Sequence, residues 1–263
     1  MEYQEYINGK NLLMEAKHVS KEFLTGKGKK QTVFPVLNDI NLKIYDNEFV
    51  VLFGPGECGK TTLINVLAGL DNPTAGEVVM GKETVTAPGI ERGVVYQSIS
   101  LFPWLTVMGN VSFGPKSRGV KKEEYTARSQ QLIDLVGLSG FENSFPNSLS
   151  GGMAQRVGIA RAYANEPKML FMDEPFGALD AQTRYLMEKE ILRIYQSEKR
   201  TVVFVTNNIE EAVYLADRVI LMKNCPTSVK QEFIIDLPRP RSYTEPEFLR
   251  IRQEITDLMD KVY

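Results

Sequence analysis

Histidine is almost missing from this chain: His18 is the only one among 263 residues. No second imidazole can therefore act in catalysis or bind a metal, and His18 itself lies in an early strand pattern where a structural role is expected. Cysteine is nearly as scarce. Cys58 and Cys225 stand far apart in sequence and offer no disulfide framework, so a reducing compartment is expected. No run approaches the ~20 apolar residues a membrane helix needs, and residues 1–11 are polar and mixed in charge, so no apolar leader is expected. An excess of one charge is missing too: 31 Lys and Arg against 33 Asp and Glu leave a net charge of −2. The one short basic run, Lys27-Gly28-Lys29-Lys30, reads as a solvated loop tip, whereas nucleic-acid binders carry broad basic stripes. Internal repeats are absent, so each motif below occurs once. The composition describes a soluble protein that reaches a membrane only through a partner, long enough for one large domain or two small ones.

What is present is an alternation of buried strands and helices. Phe49-Val50-Val51-Leu52-Phe53 is a continuous apolar run, the pattern of a parallel strand covered on both faces. It meets Gly54-Pro55-Gly56 and then a helical pattern over residues 60–70. Similar runs recur at 168–172, 201–205 and 218–222, and between them residues 182–199 set Met187, Ile191, Ile194 and Tyr195 on one helical face. The alternation predicts an α/β fold, a parallel sheet with helices on both faces. Residues 12–19 and 36–44 read as two earlier strands around a polar Gly and Lys loop. Residues 98–165 carry Pro103, Gly109, Gly114, Pro115, Gly137 and Gly140 around helical pieces and read as a mostly helical insertion. After Leu237 a Pro-Arg-Pro-Arg break opens a tail over 238–263. There Thr244-Glu245-Pro246-Glu247 has the form of a capping box, and Phe248, Ile251, Ile255, Leu258 and Val262 form an apolar stripe that should pack on the body.

Two constellations carry chemistry. Gly54-Pro55-Gly56-Glu57-Cys58-Gly59-Lys60-Thr61 fits G-x-x-x-x-G-K-[ST] between a strand and a helix. Glycines let backbone N–H groups wrap phosphate oxygens, and the helix start adds the positive end of its dipole. Lys60 then neutralises the β- and γ-phosphates of ATP, the Thr61 hydroxyl faces Mg²⁺, and Thr62 completes the first turn. Glu57 is out of place in an anion cradle and must turn its carboxylate outward. Cys58 reads as a small filler whose alkylation should block nucleotide binding. The second constellation is Asp173-Glu174, at the carboxyl end of the 168–172 run, where open α/β sheets place ligands. Successive side chains diverge, which favours divided labour: Asp173 on Mg²⁺, Glu174 polarising a water.

Leu149-Ser150-Gly151-Gly152-Met153 with Gln155-Arg156 resembles the signature motif of ABC-type ATPases, and the other parts come in that family's order. Gln97 is similar to the Q-loop glutamine, Ala178-Leu179-Asp180 to the D-loop, and Phe23 stands where an adenine-stacking aromatic is found. The resemblance covers 12–237 and implies a P-loop NTPase cassette with an N-terminal antiparallel β subdomain and a helical subdomain inserted at 98–165. Residues 100–107 and 237–241 resemble the nitrate, sulfonate and taurine importer ATPases. The resemblance implies that Ser150, Gly151 and Gly152 act on ATP held by a second copy, so that two chains pair head to tail. Further partners are integral-membrane permease subunits at the cytoplasmic face of the plasma membrane and, through them, a solute-binding protein; nucleic acid is not expected. Trp104 reads either as core of the helical segment or as part of the surface that meets the permease.

One position departs from the family. A histidine contacting the γ-phosphate usually follows the strand at 201–205, and here Asn207 stands there. An amide can donate to phosphate but cannot carry charge or shuttle a proton. With Glu174 as base the chain hydrolyses ATP through a neutral Asn207. The other readings are a slow, nucleotide-gated interaction module and a soluble ABC ATPase acting on nucleic acid or ribosomes.

Overall fold

Runs of uninterrupted apolar residues have one way to hide, between two layers, and the computed structural model places each such run in a strand buried on both faces. The structure describes residues 3–26, 31–98, 100–177 and 179–259. In chain order the elements are α1 (Tyr3–Ile7), β1 (Leu12–Thr25), β2 (Thr32–Tyr45), β3 (Phe49–Phe53), α2 (Lys60–Ala68), β4 (Ala75–Met80), β5 (Glu83–Thr84) and β6 (Arg92–Val95). There follow α3 (Val107–Ser117), α4 (Lys122–Leu135), a 3₁₀ turn (Pro146–Ser148), α5 (Gly151–Ala164), β7 (Met169–Asp173) and α6 (Ala181–Glu198). The chain continues through β8 (Thr201–Thr206), α7 (Ile209–Leu215), β9 (Arg218–Met222), β10 (Val229–Ile234) and α8 (Pro246–Met259). The basic run at 27–30 and Val262 lie outside the described residues. Two compact units are formed, Met1–Gly89 with Thr201–Tyr263, and Ile90–Arg200.

In the first unit an antiparallel sheet has the order β2-β1-β4-β5. Its two long strands run further than the alternation in sequence suggests. His18 and Asp39 adopt positive φ (51° and 50°), and the β1–β2 register slips between Ala16 and Lys21, so pairing resumes after the bulge. The bulge hides the strand's continuation because it breaks the period of two. His18 is exposed there and pairs with Asp39 through Nδ1 at 2.8 Å. Beside this sheet β3 lies parallel to both β8 and β9, with β10 antiparallel at the outer side of β9. At the amino end of β3, Glu48 and Arg218 are both 0 % exposed and joined by a two-point ion pair at 2.7 and 3.0 Å. The Tyr6 hydroxyl donates to Glu48 at 2.8 Å and ties α1 to the sheet.

The second unit pairs β6 and β7 in parallel and packs α3, α4 and α5 against one another. The buried face of α6 carries Met187, Ile191, Ile194 and Tyr195, the stripe expected from sequence. In the first unit the tail helix α8 buries Phe248, Ile251 and Ile255. Its expected capping box does not form: Glu247 pairs instead with Arg250 at 2.6 Å, and the Thr244 hydroxyl meets Ser242 at 3.0 Å. A guanidinium three residues away outcompetes a backbone amide for an exposed carboxylate.

Candidate active site

The loop after β3 is shaped by close approaches. A Cβ on Gly54 would meet Met222 at 3.1 Å, and one on Gly59 would stand 2.8 Å from Val36 Cγ1. Gly59 also has φ +109°, so both space and backbone require glycine, whereas nothing lies within 4 Å of a Cβ on Gly56. Glu57 takes φ +56° and is exposed. Lys60 is the buried centre, 3 % exposed. Its Nζ donates to the carbonyls of Gly54 at 3.0 Å and Pro55 at 2.5 Å and lies 3.9 Å from Cys58 Sγ. Gly59 opens α2 with no side-chain cap, so the first-turn amides, with Thr61 exposed beside them, are presented by the backbone alone. Uncapped amides around a buried cation fit a polyphosphate. Cys58 is 2 % exposed. A reagent therefore reaches this thiol only when the loop opens.

The register of β3 with β8 sets Phe53 level with Thr206, so the loop and Asn207 leave the carboxyl ends of adjacent strands. Asn207 is exposed. The residues around it are fixed: the Thr206 hydroxyl donates to Glu211 at 2.6 Å and accepts from the Asn208 N–H at 2.9 Å. Asn208 caps α7 through the amides of Glu210 and Glu211.

In the second unit, β7 is wholly buried and delivers Asp173, 6 % exposed, at its carboxyl end. Glu174 follows at φ +42°, a left-handed conformation that a non-glycine residue holds only under constraint. The Gly177 N–H closes this turn onto the Glu174 carbonyl at 3.0 Å. Gln97 Nε2 lies 2.8 Å from where a Gly177 Cβ would be, so the glycine lets the glutamine amide lie against the turn that carries Glu174. Tyr96 belongs to the same place: burial, and then the charge of Asp173, push its phenol above the ordinary value. Sequence reasoning misses both Gly177 and Tyr96; only their positions beside Glu174 and Gln97 could have flagged them.

Ser150 caps α5, its Oγ accepting from Met153 N–H at 3.3 Å, and Gly151 has nothing within 4 Å of a Cβ. A Cβ on Gly152 would meet Thr183 Cγ2 at 3.2 Å. Asp180 caps α6 by accepting from Gln182 and Thr183 N–H at 3.1 and 3.0 Å and from the Thr183 hydroxyl at 2.7 Å. The Thr183 bonds, the hydroxyl first, hold its carboxyl below the usual range. Phe23 lies on β1 opposite Phe34, 39 % exposed, with the Lys21 ammonium 5.1 Å from its ring centre, so it is not a core residue. Trp104 is 70 % exposed, which removes the core reading; its ring stands 5.6 Å from Phe102, which packs on Phe113 at 4.4 Å.

A family model described as ABC transporter matches residues 37–177, the stretch that holds the loop, Gln97, the serine-capped helix and the strand with Asp173. The chain belongs to the ABC transporter family. An uncharacterized ABC transporter ATP-binding protein of Methanocaldococcus jannaschii is 50 % identical over 85 % of this chain and 84 % of its own length. The nitrate import ATP-binding protein NrtD of a Synechocystis strain is 42 % identical, covering 88 % and 90 %. The aliphatic sulfonates import ATP-binding protein SsuB of Bacillus subtilis is 40 % identical, covering 92 % and 93 %. Among solved structures, a dimeric ATP-binding cassette in a post-hydrolysis state bound to ADP and Pi is 30 % identical with a TM-score of 0.73, covering 86 % of this chain and all of its own. The chain is therefore an ABC ATPase related to import cassettes. Among the described residues no helix is long and apolar enough to cross a membrane, and no cluster of three or more His, Cys, Asp or Glu could hold a metal alone. Mg²⁺ needs no such cluster, since it takes one or two protein oxygens beside phosphate and water. Side chains with oxygens of that kind are Thr61 in the first unit and Asp173 and Gln97 in the second.

Proposed function

We propose that the chain is the ATP-hydrolysing, energy-coupling subunit of an importer for a small solute of the nitrate, sulfonate or taurine type. It works on the cytoplasmic face of the plasma membrane through separate permease subunits and, through them, a solute-binding protein. The observation that carries this reading is the loop around Lys60, a buried ammonium beside uncapped helix amides, in a chain about 40 % identical to import ATPases.

Bound Mg²⁺ supplies neutralisation of the β- and γ-phosphate charge. Lys60 adds a second positive charge there, and the amides from Gly56 to Thr62 donate to the phosphate oxygens. The Thr61 hydroxyl and the Asp173 carboxylate would hold the metal, and Gln97 would reach either the metal or the attacking water. Glu174 accepts the water's proton, and Asn207 donates an amide N–H to the γ-phosphate without adding charge. Phe23 stacks on the adenine. Ser150 and Gly151, exposed at the start of α5, and the half-buried Gly152 act on nucleotide held by a second copy, with Asp180 setting the start of α6 beside Gly152. Two copies thus pair head to tail, and the dimeric state of the ADP-bound cassette supports the pairing. The platform of Phe102, Trp104 and Phe113 meets the permease.

Purified chain should show Mg²⁺-dependent ATP hydrolysis that Glu174→Gln lowers by about 10²–10⁴-fold, the usual worth of a general base. Wild type no faster than Glu174→Gln would instead favour the slow-switch reading, for which the neutral Asn207 is the motive.

A further inference from the structure

The tail does more than cover the first unit. Helix α7 has seven residues, far too few to persist without outside contacts. Its amino end follows directly from Asn207. Its carboxyl end is held by Arg241, only 6 % exposed, whose guanidinium donates to the carbonyls of Val213 at 2.6 Å, Tyr214 at 3.1 Å and Ala216 at 2.7 Å. The same group also bonds the carbonyls of Ile235 and Leu237 on the strand exit behind it. A cation over the last carbonyls of a helix satisfies acceptors that the helix cannot and complements its dipole. Burial lowers this guanidinium to about 10, which leaves it charged at neutral pH.

Three further contacts run from tail to helix. Tyr243 stacks on Tyr214, ring centres 4.8 Å apart and 7° from parallel, and Phe248 packs edge-on against Tyr243 at 5.3 Å. Arg252 of α8 donates to Glu210 in the first turn of α7 at 3.0 Å. Arg239 donates to the Leu215 carbonyl and to Asp217 Oδ1 at 2.6 Å, while Asp217 Oδ2 accepts from the N–H of Phe49, the first residue of β3. The tail therefore grips α7 at both ends and, through Asp217, the strand that ends in the nucleotide loop.

We propose that residues 239–252 are a clamp that positions α7 and through it the Asn207 amide, with Arg241, Tyr243 and Arg252 as its positioning residues. The proposal rests on Asn207 being the γ-phosphate donor; none of the three residues needs to touch nucleotide. Loosening the clamp lets Asn207 wander, which slows the chemical step while the loop around Lys60 keeps its grip on ATP.

The test uses the full chain with Arg241→Lys, Tyr243→Ala, Arg252→Glu and the charge-swapped pair Arg252→Glu with Glu210→Arg. The expected result for the single variants is a kcat about 3- to 10-fold lower with KM for ATP and ADP affinity within about 2-fold, the pattern of an interaction realised after ground-state binding. Amide hydrogen exchange over residues 207–216 should quicken by a similar factor in the absence of nucleotide, and the charge-swapped pair should restore both readings toward wild type. Unchanged exchange and kcat in Tyr243→Ala and Arg252→Glu overturn the clamp. Faster exchange with unchanged kcat shows that the tail holds α7 but that Asn207 does not depend on it, which also overturns the proposal. If wild type hydrolysed no ATP, the hydrolysing reading would fail by itself, and unchanged exchange in Tyr243→Ala and Arg252→Glu would still overturn the grip on α7.

Discussion

Gly59 meets two demands at once, a left-handed backbone and a missing side chain next to Val36. Gly59→Ala is expected to cost about 1–3 kcal/mol of stability, the scale of a residue forced into a sparsely populated backbone region, and to weaken nucleotide binding as the loop shifts. Gly56 is the contrast. With open space at its Cβ, Gly56→Ala should stay within about 0.5 kcal/mol of wild type in unfolding experiments yet still lose nucleotide affinity if the proposed cradle leaves its space to the phosphate. Equal binding by both variants and wild type would contradict the cradle. The two thiols should also separate: a maleimide should label exposed Cys225 first and Cys58, 2 % exposed, much more slowly. Comparable rates would mean that the loop opens freely. At Asn207 the prediction concerns pH. An amide does not titrate, so the hydrolysis profile should lack a limb near ~6.5 arising at this position, and Asn207→His should introduce one.

Among the elements, α3 and α6 show how polar side chains set helix starts. Asn110 is 0 % exposed and serves four backbone groups: it accepts from Phe102 N–H and donates to the carbonyls of Phe102, Leu105 and Thr106. Asn110→Ala strips this side chain from the Phe102 N–H and the Leu105 carbonyl, while the Phe102 and Thr106 carbonyls keep the N–H groups of Leu105 and Asn110. A loss of about 1–3 kcal/mol per stranded group is the relevant scale, and amide exchange at Phe102 should rise in step with the loss of stability. Asp180 makes a pH-dependent contribution to α6. Its folded pKa lies below the unfolded value of ~3.9, so its stabilisation is complete above that value and fades as pH falls through the depressed folded one. Asp180→Asn keeps a capping oxygen without the titration. The melting temperature of that variant should fall less between pH 5 and pH 2 (about that window, from the linkage relation) than that of wild type. Helices such as α6 were legible because a stripe at 3.6-residue spacing and an Asp before it are local signals. The clamp of Arg241 was not, since its acceptors lie 4 to 28 residues away and are all backbone carbonyls, which leave no mark in a sequence pattern.

For the whole molecule, the parallel strands are legible in the residue order because runs of four or five consecutive apolar residues, too short for a helix, point to a doubly covered strand. The same logic found the loop with Lys60 and the Asp173-Glu174 pair, since both sit where such runs end. The approach of Gln97 to Gly177, the placing of Tyr96 beside Asp173 and the continuation of β1 past His18 depend on packing and on a bulge, and no local periodicity encodes them. One copy of each motif per chain predicts division of labour between copies. A chain with Lys60→Ala and a chain with Ser150→Arg should each be inactive alone, and mixing them should restore part of the activity, because one composite site then keeps both intact halves. No recovery on mixing would argue against the head-to-tail pair. The long β2 strand bears on a different matter, the behaviour of the protein at high concentration. It is the outer strand of its sheet, and near its tip Val33 and Phe34 are 56 % and 51 % exposed. An exposed apolar edge is a template on which further strands add. Pro35 interrupts it with a residue that has no N–H to offer, and further along Leu37 and Asn38 are engaged by the Thr227 segment. Shelf life is therefore expected to depend on this proline: replacing Pro35 with a β-branched residue should make concentrated protein scatter light and gel on standing where wild type stays clear.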